Sequence, residues 1–398
     1  MKDSETISGS SVASETEAIQ QIVHSGLRYG YALAVWKLPG DDQKNVLLSY
    51  SAKQYKPESQ LEDLESGFLF CPFNRNEDGY YMKADLLFTY RRGKLRTPET
   101  LIESRSVEWL RGQEDKTTPV SFYKPVAGQE VLNNHQPDFK ELVQECIRLI
   151  NQGTVEKLVP SRFKFIEVPQ GFDPIAAFQK LCQAYPNAFV SLVSMPDAGT
   201  WLGASPEILV QVEDQAIFRT VALAGTQPYQ AGTNLKEVAW TQKEIEEQAL
   251  VSRYIINCFK KIRLREFEEH GPKTVIAGNL LHLKTDFEVD LKATNFPQLG
   301  SVMLTLLHPT SAVCGMPLEP ALQFLQQREG YHRAYYSGYL GPINIDQAIH
   351  VFVNLRCLQV ANQYLVCYAG CGVTADSIPD KEWEETEMKL NTLISVVR

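Results

Sequence analysis

Up to about residue 92, short apolar runs (Tyr31–Lys37, Val46–Tyr50, Gly67–Cys71) alternate with turn clusters, which predicts a β-rich segment with one helix ahead of it over Glu17–Leu27. A polar stretch from Arg111 to Asp138, with Lys-Thr-Thr-Pro and Asn-Asn-His-Gln-Pro in it, predicts a surface connector. The period then changes. Phe139, Leu142, Val143, Cys146, Ile147 and Ile150 recur at helical spacing, and Gly153 stands where a C-terminal cap is wanted. Lys157 opens the strand KLVPSRFKFIEV. Asp173-Pro174 then supplies an N-cap and first-turn pair for a helix to about Tyr185. The strands AFVSLVSM and TWLGAS and a glycine-bearing strand end, TVALAGT, come next. From about Glu237 to Ile262 a long helix is expected, with Ile245, Ala249, Ser252, Ile256 and Phe259 on one stripe and Glu244, Glu247 and Val251 on a neighbouring one. The last hundred residues predict a helix with Pro317 near its start and strands around Tyr336–Leu340, His350–Cys357 and Tyr364–Tyr368. A glycine-rich turn and a closing helix from about Lys381 complete the pattern. It divides the chain into a polar, Ser-rich tail over residues 1–16, a β-rich part over 17–136 and a longer region over 137–398, without internal repeats.

Length and composition narrow the classes. The 398 residues can bury a large core, and 44% hydrophobic with 22% charged residues is the balance of a globular protein. Lys and Arg number 39 against 48 Asp and Glu, so 39 − 48 leaves a net charge of −9 and no general positive field for a nucleic-acid backbone. An anionic small molecule would need local Arg, Lys, backbone amides or a metal ion. No run reaches the ~18 apolar residues of a membrane span, and the N-terminus lacks the apolar core of a secretion signal. The eight cysteines contain no Cys-x-x-Cys pair and sit mostly in apolar runs, as buried thiols of a reducing cytoplasm would.

The most informative spacing is a pair of Glu-x-x-Glu motifs, Glu244/Glu247 and Glu382/Glu385, each on a predicted helix and therefore each on one helix face. Two such faces brought together would gather four carboxylates, which repel unless a cation lies among them, and all-oxygen ligation without His or Cys favours Mg²⁺. A solvated face with Glu385 paired to Lys389 at i, i+4 produces the same spacing. Gly370-Cys371-Gly372-Val373-Thr374-Ala375 fits a Gly-x-Gly-x-x-Ala dinucleotide pattern after a strand. However, Ser377-Ile378-Pro379-Asp380 delays the helix that such a fingerprint needs, leaving a turn whose amides can face an anion. Lys157 at a strand start and Glu207 after Ser205-Pro206 read alone as exposed charges; His282 and His308, in apolar contexts, read as core histidines. There is no Gly-x-Ser-x-Gly elbow and no phosphate-binding P-loop motif.

In order, KLVPSR, WLGASPEILV, TVALAGT, the Glu244/Glu247 helix, LHPTSAVCG, YYSGYLG, VNLRCLQV and YAGCGVTADSIPDKEWEETEMKL resemble the chorismate-utilising enzyme family, most of all its isochorismate-forming branch. The resemblance is dense over residues 137–398 and loose before them. It implies an α+β fold, a single large domain in which antiparallel sheets covered by helices enclose the site, with the N-terminal β-rich part completing the sheets.

The resemblance also implies roles. Mg²⁺ would be held directly by Glu247 and Glu385, supported by Glu244 and Glu382, and would take the ring carboxylate of chorismate. Arg356, Lys389 and the amides near Gly370 and Gly372 resemble carboxylate-binding groups, and Gly225, Thr226 and His282 resemble residues that line the substrate. Lys157, as the neutral amine, would activate water for attack on ring carbon two, and Glu207 would protonate the hydroxyl leaving ring carbon four. Anthranilate-forming members typically carry Gln where Lys157 stands. Aminodeoxychorismate-forming members often carry Lys where Ala224 stands. The expected activity is reversible conversion of chorismate to isochorismate, by a cytoplasmic monomer, for menaquinone or a siderophore. A salicylate synthase that goes on to eliminate pyruvate shares the same pair, and a silent binding scaffold is the non-enzymatic alternative. One departure stands out: the family's Asp-x-x-Glu-His reads Glu244-x-x-Glu247-Gln248 here.

Overall fold

The structure is a computed structural model and describes residues 15–113, 120–125, 137–277 and 280–398. In chain order, α1 (Glu15–Arg28) leads into β1 (Ala32–Lys37), β2 (Lys44–Ser49), β3 (Ala52–Tyr55), β4 (Gly67–Cys71), β5 (Gly79–Lys83), β6 (Leu86–Arg91), β7 (Lys94–Leu95) and α2 (Leu101–Arg111). The middle of the chain carries α3 (Phe139–Asn151), β8 (Lys157–Leu158), β9 (Ser161–Glu167), α4 (Pro174–Ala184), β10 (Phe189–Met195), β11 (Gly199–Ser205), β12 (Ile208–Glu213), β13 (Ile217–Pro228) and α5 (Gln242–Lys261). Then come β14 (Glu268–Ala277), β15 (Leu280–Asp290), α6 (Leu299–Leu307), β16 (Gly315–Met316), α7 (Leu318–Arg328), β17 (Tyr339–Ile345), β18 (Ala348–Val353), β19 (Cys357–Val360), β20 (Tyr364–Gly370) and α8 (Pro379–Val397).

Two nine-stranded antiparallel sheets result, in the orders β7-β6-β2-β1-β10-β11-β19-β20-β9 and β14-β15-β13-β12-β18-β17-β4-β5-β3. Strands from the first hundred residues form one flank of each sheet, β7-β6-β2-β1 in the first and β4-β5-β3 in the second, so both parts of the chain are needed to complete either sheet. Alternation within a strand decides the layers. In β1, Ala34 and Trp36 meet Phe68, Phe70 and Leu340 of the facing sheet, while Leu33 and Val35 turn outward to α1, α4 and α8, against Ile22, Phe178 and Leu393. The outer face of the second sheet (Val210, Phe218, Val289, Val351) is covered by α3, α5, α6 and α7 through Val143, Phe259, Met303 and Leu325. The result is a helix–sheet–sheet–helix stack of the α+β class. Because β1, β4, β10 and β11 are covered on both faces, they are buried from end to end, which is why they read in the sequence as continuous apolar runs instead of clean alternation.

Several boundaries differ from the pattern-based expectation. Residues 1–14 of the expected tail and residues 114–119 and 126–136 of the connector lie outside the described residues, and Glu15 and Thr16 already belong to α1. The long helix starts at Gln242, because a separate 3₁₀ turn occupies Leu235–Glu237. The expected strand over His350–Cys357 is two strands broken by a turn in which Arg356 takes φ +47°. The long β14–β15 hairpin and α2 were not anticipated, although Thr100-x-x-Glu103 forms a capping box in which Thr100 N donates to Glu103 Oε2 at 3.0 Å and Glu103 N to Thr100 Oγ1 at 3.1 Å. Among the described residues no helix is long and apolar enough to cross a membrane.

Candidate active site

Lys157 is placed by a short ribbon. β8 pairs with β16 on one side, while on the other Leu158 and Val373 exchange backbone bonds of 3.1 and 2.7 Å, which seats the strand against the Gly370–Gly372 turn. The Lys157 side chain is fully buried. Its Nζ lies 2.9 Å from Glu247 Oε1 without hydrogen-bond geometry, a buried nitrogen with no hydrogen-bond partner. Glu207 sits at the end of β11, where Val353 N donates to its carbonyl at 3.0 Å. Its carboxyl is buried, and burial pushes it up to about 7 in spite of Lys157, Lys389 and Arg356 nearby. Near neutral pH a large share of Glu207 is therefore the neutral acid, the form a proton donor requires.

A small chamber is lined by Glu207, Gly225, Thr226, Glu247, His282, Arg356, Gly370, Gly372 and Lys389, with Tyr336, Leu223 and Val313 among its walls. Its polar groups are fixed by the protein. The His282 Nδ1 proton goes to the carbonyl of Gly225, which leaves Nε2 as the acceptor for Arg356 Nη2 at 3.3 Å. Burial, with Arg356 and Lys389 adding to it, drops His282 to about 3 and keeps the ring neutral. Arg356 also donates to Thr392 Oγ1 of α8 at 3.2 Å, and burial lowers it to about 10, still a cation at neutral pH. Lys389 Nζ donates to Gly370 O at 2.9 Å and pairs with Glu385 at 2.6 Å. Gly225 takes φ +69° at the bulge between Ala224 and Gln227, where the β13–β15 register shifts. Gly372 answers a different need. A Cβ there would stand 2.0 Å from Glu247 Oε1 and 3.1 Å from Lys157 Cε, so only a bare backbone lets both side chains approach the turn.

A second cleft opens between α5 and α8 and shares Glu247 and Thr226 with the chamber; Glu244, Glu382 and Glu385 line it as well. In this structure each carboxylate has a partner. Glu247 faces Lys157, Glu385 faces Lys389, Glu382 accepts from Lys243, and Glu244 accepts from Thr241 N at 2.7 Å and Gln227 Nε2 at 3.2 Å. Burial works to raise Glu247, but Lys157, Lys243 and Lys389 outweigh it and hold that carboxylate ionised, below its ordinary range. Glu382 is pushed up, mainly by burial and also by Glu385, against the pull of Lys243, and its Oε2 is buried without a partner. Carboxylates alone, four to a cleft and one with an unclaimed buried oxygen, are the donor chemistry of a hard divalent cation such as Mg²⁺. Among the described residues no three His, Cys, Asp or Glu side chains stand together as a ready ligand set, and lysines supply the positive charge.

Residue-by-residue reading missed Lys243, whose signal was its place directly before Glu244 and four before Glu247, and Tyr336, which had been read only as part of a strand. Gln248, where the family pattern has His, points away from the cleft. Its Nε2 donates to Ala222 O at 3.2 Å and Thr285 Oγ1 at 3.0 Å, tying α5 to β13 and β15.

A sequence model of the family described as chorismate binding enzyme matches residues 46–398. The chain belongs to the chorismate-binding enzyme family. Within it, the chain is 27% identical over 312 residues to isochorismate synthase EntC of Escherichia coli K12, covering 76% of this chain and 78% of that protein. It is 26% identical over 356 residues to the vibriobactin-specific isochorismate synthase of Vibrio cholerae, covering 87% and 84%. The structure of MenF, the menaquinone-specific isochorismate synthase from Escherichia coli, superposes with a TM-score of 0.73 at 20% identity over 95% of this chain and 91% of that one. The chorismate-binding fold thus extends through the N-terminal strands that the sequence motifs cover only loosely.

Proposed function

We propose that the protein is an isochorismate synthase, interconverting chorismate and isochorismate with Mg²⁺, for menaquinone or siderophore synthesis. The observation that carries this reading is a buried acid, Glu207, held near 7 in a chamber that also holds Arg356, Lys389 and Glu247, with the buried Lys157 directly behind that wall, 2.9 Å from Glu247. Three isochorismate synthases among its relatives point the same way. Arg356, Lys389 and the backbone of the Gly370–Gly372 turn would bind the carboxylates of chorismate, with Gly225, Thr226 and His282 against the rest of the ring. Lys157 as the neutral amine takes a proton from a water that attacks ring carbon two. Both ring double bonds shift, and Glu207 protonates the hydroxyl that leaves ring carbon four as water. One water enters and one departs, so the same groups with their protonation exchanged run the reverse reaction. A Mg²⁺ held by Glu247 and Glu385, with Glu244 and Glu382 behind them, would neutralise the ring carboxylate and draw Glu247 away from Lys157.

The test is chromatographic: purified protein is incubated with chorismate, with and without Mg²⁺, and products are followed over time. Isochorismate rising to a plateau with chorismate remaining is the expected outcome. Salicylate with pyruvate would make the protein a salicylate synthase, and unchanged chorismate in the presence of metal would leave a binding scaffold.

A further inference from the structure

Lys243 stands on the first turn of α5 and reaches across the cleft to Glu382 on α8, the only cross-cleft ion pair between these two helices among the described residues. Its side chain is 24% exposed and that of Glu382 is 1% exposed. The ammonium lies in the fields of three carboxylates at once, Glu382, Glu385 and Glu247. Glu382 gives Lys243 only Oε1; Oε2 is buried and unclaimed. A cation of charge one thus sits where the donor set suits a cation of charge two. Two buried carboxylate-bearing helices facing one another would repel without some positive charge between them.

We infer that Lys243 is a built-in counter-ion that holds α5 and α8 together before metal arrives, competes with the metal for Glu382, and is displaced from it when a divalent cation binds. This rests on the Mg²⁺ reading of the cleft. It makes Lys243 a positioning residue that stabilises the metal-free enzyme and weakens metal binding. A merely structural lysine would have the opposite sign: its removal would loosen the cleft and weaken the metal.

The test measures Mg²⁺ binding by calorimetry on the full chain, without chorismate, for the unaltered protein, Lys243→Gln and Lys243→Arg. Lys243→Gln should melt at a lower temperature without metal yet bind Mg²⁺ roughly tenfold more tightly, with a larger Mg²⁺-induced rise in Tm, while Lys243→Arg stays near the unaltered protein. In a Glu382→Gln background the gain from Lys243→Gln should shrink, because the competition runs through that carboxylate. A second measurement needs no variant: with Mg²⁺ added, amine-directed labelling of Lys243, read by mass spectrometry, should speed up severalfold as the ion pair opens. Mg²⁺ affinity in Lys243→Gln that is unchanged or weaker, or labelling indifferent to Mg²⁺, overturns the inference and leaves the proposed activity standing. No Mg²⁺ binding by the unaltered protein overturns both.

Discussion

The inner chamber and the outer cleft share Glu247 and Thr226 and are otherwise built on opposite plans. In the chamber, the cationic and donor groups are locked by the protein: Arg356 to Thr392 and His282, His282 to Gly225, Lys389 to Gly370. Such a place is organised for an anion before the anion comes, which is how electrostatic binding avoids reorganisation during reaction. In the cleft, carboxylates that range from part-buried to buried face lysines instead, Glu247 with Lys157, Glu382 with Lys243 and Glu385 with Lys389. Glu247 belongs to both, and Lys157 touches it, so occupancy of one space changes the other. The charge is distributed to match: acid gathers where a cation belongs, and the anion's place is cleared of it except for Glu207, which burial raises to about 7, and the shared Glu247.

Breaking the chamber should have the largest effect. Lys157→Ala and Glu207→Gln are each expected to cut kcat by about 10²–10⁴-fold, the usual worth of a positioned acid or base, with the circular dichroism spectrum preserved in both and Mg²⁺ binding preserved in Glu207→Gln. A variant near the normal rate would remove that residue from the mechanism.

The boundary between the two spaces comes next. Gly372→Ala puts a Cβ on Glu247 Oε1, so the carboxylate must leave the position from which it would hold the metal. The Mg²⁺ concentration for half-maximal rate should rise by about 10–100-fold, the range seen when the support of a metal ligand is disturbed. Since no positive φ is involved at Gly372, the melting temperature should change little, and an unchanged Mg²⁺ curve would separate Glu247 from the metal.

The smallest effect sharpens the electrostatic side. With Glu207 raised from 4.5 to about 7, the free enzyme should lose kcat/KM as pH rises through about 7, tenfold per unit beyond it, as the acid gives up its proton. The same shift has a stability sign. Between 4.5 and about 7 the folded chain holds a proton that the unfolded chain releases, so stability from the neutral carboxyl is present below 4.5 and declines as pH rises through that window. Glu207→Gln should lose less stability than the unaltered protein over the same window, as read by Tm against pH.

Local signals carried much of the chain. Asp138 and Asp173 are N-caps as their residue types and positions predict, accepting from Lys140 N at 2.8 Å and from Ala176 N at 3.0 Å, and the apolar stripe of α3 faces the core. The Glu-x-x-Glu spacings do put each pair on one helix face, and those faces meet at one cleft. The β14–β15 hairpin escaped because most of β14 is exposed and polar, so it lacks the apolar run that marks a buried strand. Arg356 was placed in a strand because its neighbours are apolar; its left-handed backbone is imposed by the β18–β19 turn, which no local pattern of side chains announces.

The sequence by itself determined which residue types are available and how each lies along its own element: the caps, the helix faces, the doubly covered strands, the bare glycines. Tertiary structure alone decided that Lys157, from a two-residue ribbon, should meet Glu247 of α5 over Gly372, and that Lys243 should reach Glu382 across 139 positions. The physical reason is range. Propensity and periodicity act over a few residues, whereas burial of Glu207, neutrality of His282 and the opposed charges of the cleft depend on groups that only the packed sheets bring together.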